Sequence, residues 1–155
     1  MLIADPATGR VGACHAGWRG VAGRILPAAL TMMEKAGSRR GDLLVALGPA
    51  VSGAAYQVKR PVSLAMAQSL RSEGGNADVA LEELRTCGAL LEDPDPAHDR
   101  LDIRAAARAQ LIHAGVDPIR IEVCPLCTVT EFSLFHSWRR DRVKAVQWSA
   151  IVAQG

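Results

Sequence analysis

The segment His-Ala-Gly-Trp-Arg-Gly at 15–20 holds the residue types best suited to chemistry in this chain. His15 follows a predicted strand, and α/β proteins place ligands at strand ends of this kind. Neutral imidazole is a good ligand for zinc or copper. The glycines at 17, 20 and 23 let the backbone approach a ligand closely, and Arg19 adds a cation at a predicted helix N-terminus, where anions bind. The alternative is a histidine buried and hydrogen-bonded in a core turn.

Cysteines provide a second set of candidates. Cys124 and Cys127 form a C-x-x-C pair, which could be half a zinc site, a redox pair or a structural feature. A zinc site would need more ligands, and only His136 is nearby. A redox pair would open a helix, whereas a β-rich region is predicted to follow. We therefore predict a structural role, with Cys127 near the site. Strand alternation would direct Cys14 away from the face of His15, so Cys14 is predicted to be a small core residue.

The arginines of the segment Ser-Trp-Arg-Arg-Asp at 137–141 are a third set. Arginine binds phosphate or carboxylate with two parallel hydrogen bonds. Because alternate residues of a strand face opposite ways, only one of Arg139 and Arg140 is expected to enter a site. The alternative is a solvated turn in which an arginine pairs with Asp141.

Composition limits the class of protein. The chain has 155 residues, 49% of them apolar and 4% aromatic, which predicts one domain over 1–155 with an aliphatic core. A net charge of +2 without a clustered basic face argues against nucleic-acid binding. No apolar stretch is long enough to span a membrane, and the first residues lack the pattern of a signal peptide. Four cysteines are too few for a disulfide scaffold, so we expect reduced thiols and a cytoplasmic protein.

The elements needed to position these residues can be predicted from periodicity and turn chemistry. The pattern predicts a mixed α/β (α+β) fold, a layered mixed β-sheet flanked by helices. Asp102 is a good N-cap for one helix, and Gly37 and Gly115 are good C-caps. The predicted elements are a hairpin of 2–4 with 11–13, helices over 25–36, 62–70 and 103–114, strands over 43–47 and 119–123, a helix break at 74–76, an irregular stretch over 76–100, and a final hairpin of 132–138 with 145–152.

Several segments together resemble one known family. They are HAGWRG at 15–20, LGPAVSGAAYQV at 47–58, RLDIRAAARAQLIHAGV at 100–116, CT at 127–128 and FHSWRRD at 135–141. Their identity and order resemble the YfiH-type family, also called laccase-domain or multicopper polyphenol oxidase proteins and described as purine nucleoside phosphorylases. The chain departs from the family pattern at Ala54 and Ala55, where cysteines are frequent, and after Asp141, where TGR is usual.

The resemblance implies an activity and a cofactor. It implies splitting of adenosine or inosine by phosphate into free base and ribose 1-phosphate, with deamination of adenosine as a second activity. It also implies a metal, usually zinc and sometimes copper, held by two histidines and a cysteine, of which His15 matches one. The other two would lie in family segments that precede residue 1, so this chain is expected to lack the N-terminal part of the site. Arg19 and Arg139 are then candidates for binding phosphate.

Three hypotheses remain open from the sequence. The first is a nucleoside phosphorylase with adenosine deaminase activity, and the second is a copper-dependent polyphenol oxidase. A multicopper oxidase needs many histidines, and four histidines argue against the second. The third is a non-catalytic remnant that keeps the fold and binds a partner. A leading strand without a neighbour would also leave an exposed edge, which allows self-association.

Overall fold

A computed structural model describes residues 1–71 and 76–153. Strands β1 (Leu2–Ala4) and β2 (Val11–Ala13) form the predicted antiparallel hairpin. Asp5 closes its turn, since its carboxylate accepts hydrogen bonds from the amide of Ala7 at 3.0 Å and the hydroxyl of Thr8 at 2.7 Å. Two further strands complete a sheet in the order β2-β1-β3-β7, in which only β3 and β7 are parallel. They are β3 (Leu44–Leu47) and β7 (Ile121–Val123).

The expectation of an irregular stretch over 76–100 is wrong. Asn76 caps a helix by accepting a hydrogen bond from the amide of Asp78 at 2.8 Å. Two strands follow the helix, and together with an earlier strand they form an antiparallel sheet in the order β4-β6-β5. These strands are β4 (Gln57–Lys59), β5 (Leu90–Glu92) and β6 (His98–Leu101). The sheet was missed because its strands are only three or four residues long, too short for a run of apolar alternation.

Helices pack around the sheets, which confirms the predicted mixed α/β class. The helices are α1 (Trp18–Ala22), α2 (Ile25–Lys35), α3 (Arg60–Leu70), α4 (Ala77–Thr86), α5 (Ile103–His113) and α6 (Trp138–Asp141). Asp102 caps α5 as predicted, and Gly37 and Gly115 follow α2 and α5 with positive φ. Of the predicted break at 74–76, residues 74–75 lie outside the described residues, and Asn76 is the N-cap of α4. No helix of the described residues is both long and apolar enough to cross a membrane.

One buried polar side chain joins three of these helices. Gln110 of α5 is 2% exposed, and its amide nitrogen donates to the carbonyl of Val21 in α1 at 2.8 Å. The same nitrogen donates to the hydroxyl of Ser69 in α3 at 2.6 Å. The rest of the core is aliphatic, as the composition predicts, and it includes Leu30 of α2 at 0% exposure. The helices that support the site are therefore held by both apolar packing and a buried hydrogen-bond network.

The predicted final hairpin is also wrong. Residues 132–134 form a turn, and residues 135–137 and 143–153 have no regular secondary structure. Arg140 explains the first departure, because its guanidinium donates to the carbonyls of Thr128, Val129 and Phe135. These bonds curl the segment into a compact loop, so it is not extended enough to form a strand. Arg140 also pairs with Asp141 at 2.6 Å, as the alternative interpretation of these arginines expected.

Candidate functional site

A cavity of about 600 Å³ opens at the ends of β2 and β3. Its walls come from segments that are far apart in the sequence. They are residues 1–2, 13–17, 47–51 and 146–149, together with Ile103, Arg104, Ala107 and Thr128. The lining contains two basic side chains, His15 and Arg104, and no carboxylate.

His15 lies two residues beyond the end of β2 and lines this cavity. Its side chain is exposed, so the alternative of a histidine buried in a core turn is wrong. Gly17 makes room for the imidazole, because a Cβ at residue 17 would lie 3.1 Å from Nε2 of His15. Gly20 is equally restricted, since its Cβ would lie 3.2 Å from the carbonyl oxygen of His15. The two glycines therefore leave room for the backbone and ring of His15 at the cavity wall.

Cys14 lines the same cavity as His15, although strand alternation predicts opposite faces. The reason is that β2 ends at Ala13, so alternation no longer constrains the two residues. Burial raises the pKa of the Cys14 thiol. Within residues 1–71 and 76–153, no three histidine, cysteine or acidic residues come together as a metal site. The described residues therefore do not fit a complete zinc or copper centre, and ligation of metal by His15 stays a prediction.

The two arginines proposed for phosphate binding lie together, but neither lines the cavity. The guanidinium of Arg139 stacks on the ring of Tyr56 at 4.4 Å and donates to the carbonyl of Gln57 at 2.8 Å. The guanidinium of Arg19 stacks on Trp18 at 4.5 Å. Burial raises the pKa of the Tyr56 hydroxyl, and the charges of Arg139 and Arg19 oppose part of that rise. The structure thus brings both arginines near Tyr56.

Sequence reasoning missed the basic residue that does line the cavity. Arg104 lies in the first turn of α5 and is 8% exposed. The sequence analysis treated Arg104 only as part of a helix. The signal that could have identified it is its position two residues after the N-cap Asp102, in the first turn of α5. Thr128, which is 7% exposed, lines the cavity beside the C-x-x-C segment.

The residues after α6 form another wall that the sequence did not predict. Residues 146–149 line the cavity from a segment without regular secondary structure. Trp148 is 89% exposed there. The hydroxyl of Ser149 would lie 3.4 Å from a Cβ at Gly48, so the backbone turn after β3 and this segment are in close contact. The sequence had predicted these residues as one arm of the final hairpin.

Cys127 is 6% exposed and forms part of the connection between β7 and the loop of Arg140. Its sulfur accepts hydrogen bonds from the amides of Ser52 at 3.3 Å and Val129 at 3.4 Å. Burial opposes ionisation, but hydrogen bonds from the Ser52 hydroxyl and from the amides of Ser52, Thr130 and Val129 outweigh it. Together they lower the pKa of the Cys127 thiol from 9.0 to about 6.

We expect the thiol of Cys127 to titrate near pH 6. The difference in thiolate absorbance between the wild-type chain and Cys127→Ala should give that midpoint, whereas Cys14→Ala should reveal no titration below pH 9. The lowered pKa of the native thiol also makes the stability of the fold depend on pH. Stabilisation by the thiolate should be complete above the unfolded pKa of 9.0 and be lost as the pH falls through about 6. A midpoint above pH 8 would contradict this assignment.

The fold and the His15 segment define the class of protein. The sequence matches the family described as multi-copper polyphenol oxidoreductase laccase over residues 1–154, so the chain belongs to that family. This match confirms the resemblance drawn from the motifs. Among its relatives, the purine nucleoside phosphorylase slr1573 of a Synechocystis species is 40% identical over 157 residues, covering 99% of this chain and 60% of slr1573.

Two further comparisons extend this relationship. YlmD from Geobacillus stearothermophilus has a solved structure that superimposes with a TM-score of 0.76 at 32% identity, covering 91% of this chain and 48% of that one. The adenosine deaminase RL5 from an unknown prokaryotic organism is 29% identical over 140 residues, covering 90% of this chain and 48% of RL5. The chain therefore spans about half the length of most of the relatives it matches.

Proposed function

We propose that this chain supplies the nucleoside and phosphate site of a purine nucleoside phosphorylase. The observation that carries the proposal is the cavity of about 600 Å³ beside His15. Its volume falls in the range of small-molecule sites, and its walls combine apolar surface with a few polar groups, as such sites do. The names of the relatives support a purine nucleoside as the ligand that fills it.

The proposed reaction sets two requirements for the cavity. An oxygen of inorganic phosphate bonds to C1′ of the ribose while the bond from C1′ to the base nitrogen breaks. The base leaves with the electron pair of that bond and takes up a proton, so the products are free base and ribose 1-phosphate. The cavity must therefore hold an anion beside a largely apolar space for the base. A lining with His15 and Arg104 as its basic side chains and without carboxylates suits both requirements.

Deamination is a separate proposal. One relative is named an adenosine deaminase, and deamination by a bound zinc ion depends on activation of a water molecule. Catalytic zinc is typically held by three protein ligands. The described residues bring no such group together, so we assign no step of deamination to them. We propose His15 as the ligand that this chain would contribute to a zinc or copper site.

The test is a product analysis with inosine and phosphate. We expect hypoxanthine and ribose 1-phosphate in equal amounts, with no base released when phosphate is omitted. It should be run on the 155-residue chain and on a chimaera that joins this chain to the part of slr1573 that it does not match. His98→Ala is a suitable control, since His98 pairs with Asp95 at 2.7 Å and does not line the cavity.

Three outcomes would contradict the proposal. Base released without phosphate would indicate a hydrolase, and oxidation of a phenol by the copper-loaded chimaera without phosphorolysis would favour the oxidase hypothesis. A folded, zinc-loaded chimaera that forms no product from inosine or adenosine would favour the non-catalytic remnant.

A further inference from the structure

We propose that Arg104, and neither Arg19 nor Arg139, is the residue that binds the phosphate anion. This inference rests on the proposed function and assigns its anion site. Arg104 is the one arginine in the lining of the cavity, as described by residues 1–71 and 76–153. A cation that is 8% exposed has few water molecules to neutralise its charge, so an anion in the adjoining space interacts with it strongly.

The hydrogen bonds of Arg104 hold its side chain in place and leave part of its donor capacity unused. Its Nη1 donates to the carbonyl of Leu126 at 2.9 Å and also to that of Cys124. Neither Nε nor Nη2 hydrogen-bonds to any of the described residues, and neither is among the fully buried side-chain atoms that lack a partner. Arg104 lines the cavity, and the proposal assigns these two nitrogens as its donors to the anion there. A guanidinium positioned in this way matches the geometry of phosphate oxygens.

Asp102 is the acidic group nearest to Arg104, and it only partly neutralises the guanidinium. The distance from Nε of Arg104 to Oδ1 of Asp102 is 3.7 Å, which is too long for a hydrogen bond. The carboxylate is engaged elsewhere, because it accepts from the amides of Arg104 at 2.9 Å, Ala105 at 3.2 Å and Gly53 at 3.2 Å. The amides at the start of α5 are thus occupied by the cap, so the guanidinium is left as the anion donor.

Thr128 adds a neutral donor to the same wall. It is 7% exposed, and its hydroxyl forms no hydrogen bond within the described part of the chain. By contrast, Arg19 and Arg139 lie against aromatic rings outside the lining, with Arg139 also bound to the carbonyl of Gln57. The anion is therefore expected between Arg104 and Thr128, in the cavity shared with His15.

The test measures binding of inorganic phosphate alone by calorimetry, so it does not depend on turnover. Arg104→Gln removes the charge but keeps a donor for the carbonyl of Leu126, and it should weaken phosphate binding about tenfold or more. Arg104→Lys keeps the charge and should retain much of the affinity. Arg19→Gln and Arg139→Gln are the matched controls and should bind within about threefold of wild type. Thermal melting of each variant establishes that it is folded.

The outcomes separate this inference from the proposed function. The assignment would be overturned if a folded Arg104→Gln bound phosphate with wild-type affinity, or if Arg139→Gln or Arg19→Gln lost more affinity than Arg104→Gln. It would also be overturned if Arg104→Lys and Arg104→Gln lost equal affinity, or if the wild-type chain bound no phosphate. If Arg104→Lys and Arg104→Gln both fail to fold, Thr128→Val is the variant to test in their place. It should weaken phosphate binding by a few fold, and unchanged binding would overturn the site. Phosphate binding that depends on Arg104 without phosphorolysis of inosine would uphold the site and reject the proposed function.

Discussion

Joining this chain to the unmatched part of slr1573 should raise its affinity for zinc by at least about 100-fold over the 155-residue chain alone. The reason is the number of ligands. Family resemblance implies three ligands, and His15 is the one that this chain matches. Losing even partners that only orient a ligand weakens binding by about 10- to 100-fold, so losing two ligands should cost more. Competition with a chelator of known affinity measures the difference.

The matched variants locate the metal. In the chimaera, His15→Ala should lose zinc, while His98→Ala should keep it because His98 does not line the cavity. Cys124→Ser should also keep zinc if the C-x-x-C pair is structural. Stoichiometric zinc in the 155-residue chain that survives His15→Ala and disappears in Cys124→Ser would place the metal at the C-x-x-C segment and refute the assignment.

Leu30→Ala should lower the free energy of unfolding by about 2–5 kcal/mol. Leu30 is 0% exposed in the centre of α2, so the substitution removes buried methyl groups and leaves a cavity that the packed helices cannot fill. For a chain of this length, a loss of that size corresponds to a fall in Tm of about 4–20 °C. Denaturant titration and thermal melting measure both quantities.

Met32→Ala is the control on the same helix. Met32 is 72% exposed, so its replacement should change the free energy of unfolding by less than about 0.5 kcal/mol. Equal losses for Leu30→Ala and Met32→Ala would mean that the face of α2 assigned to the core is wrong, or that the exposed face is covered in solution.

The sequence predicted the parts of the fold that have strong local signals. The first hairpin, the helices after Gly23, Pro61 and Asp102, and the strand before Gly48 all carry a turn residue, a cap or a clear period. The second sheet has no such signal, because β6 reads His-Asp-Arg-Leu and is stabilised by pairing with β4 and β5. Pairing between residues far apart in the sequence cannot be read from local pattern alone.

Of the cavity walls, only the one that contains His15 was predicted from the sequence. His15 was identified because it follows a predicted strand and precedes a glycine-rich turn, where α/β proteins place ligands. Arg104 was hidden because helices contain arginine for many reasons, and only the position of α5 against the cavity distinguishes it. The wall at 146–149 was misplaced because its apolar alternation favours a strand, whereas the segment finds no partner strand among the described residues.

The cavity is assembled from residues as distant in the sequence as Leu2, Leu47 and Trp148. Closing such long loops is slow and costs entropy, so contacts of this kind form late in folding. A chain that has formed its helices but not these long-range contacts would therefore have no assembled cavity in which to bind a ligand. Ligand binding should thus report that these distant segments have come together, and a partly folded chain with native helix content should bind the ligand much more weakly.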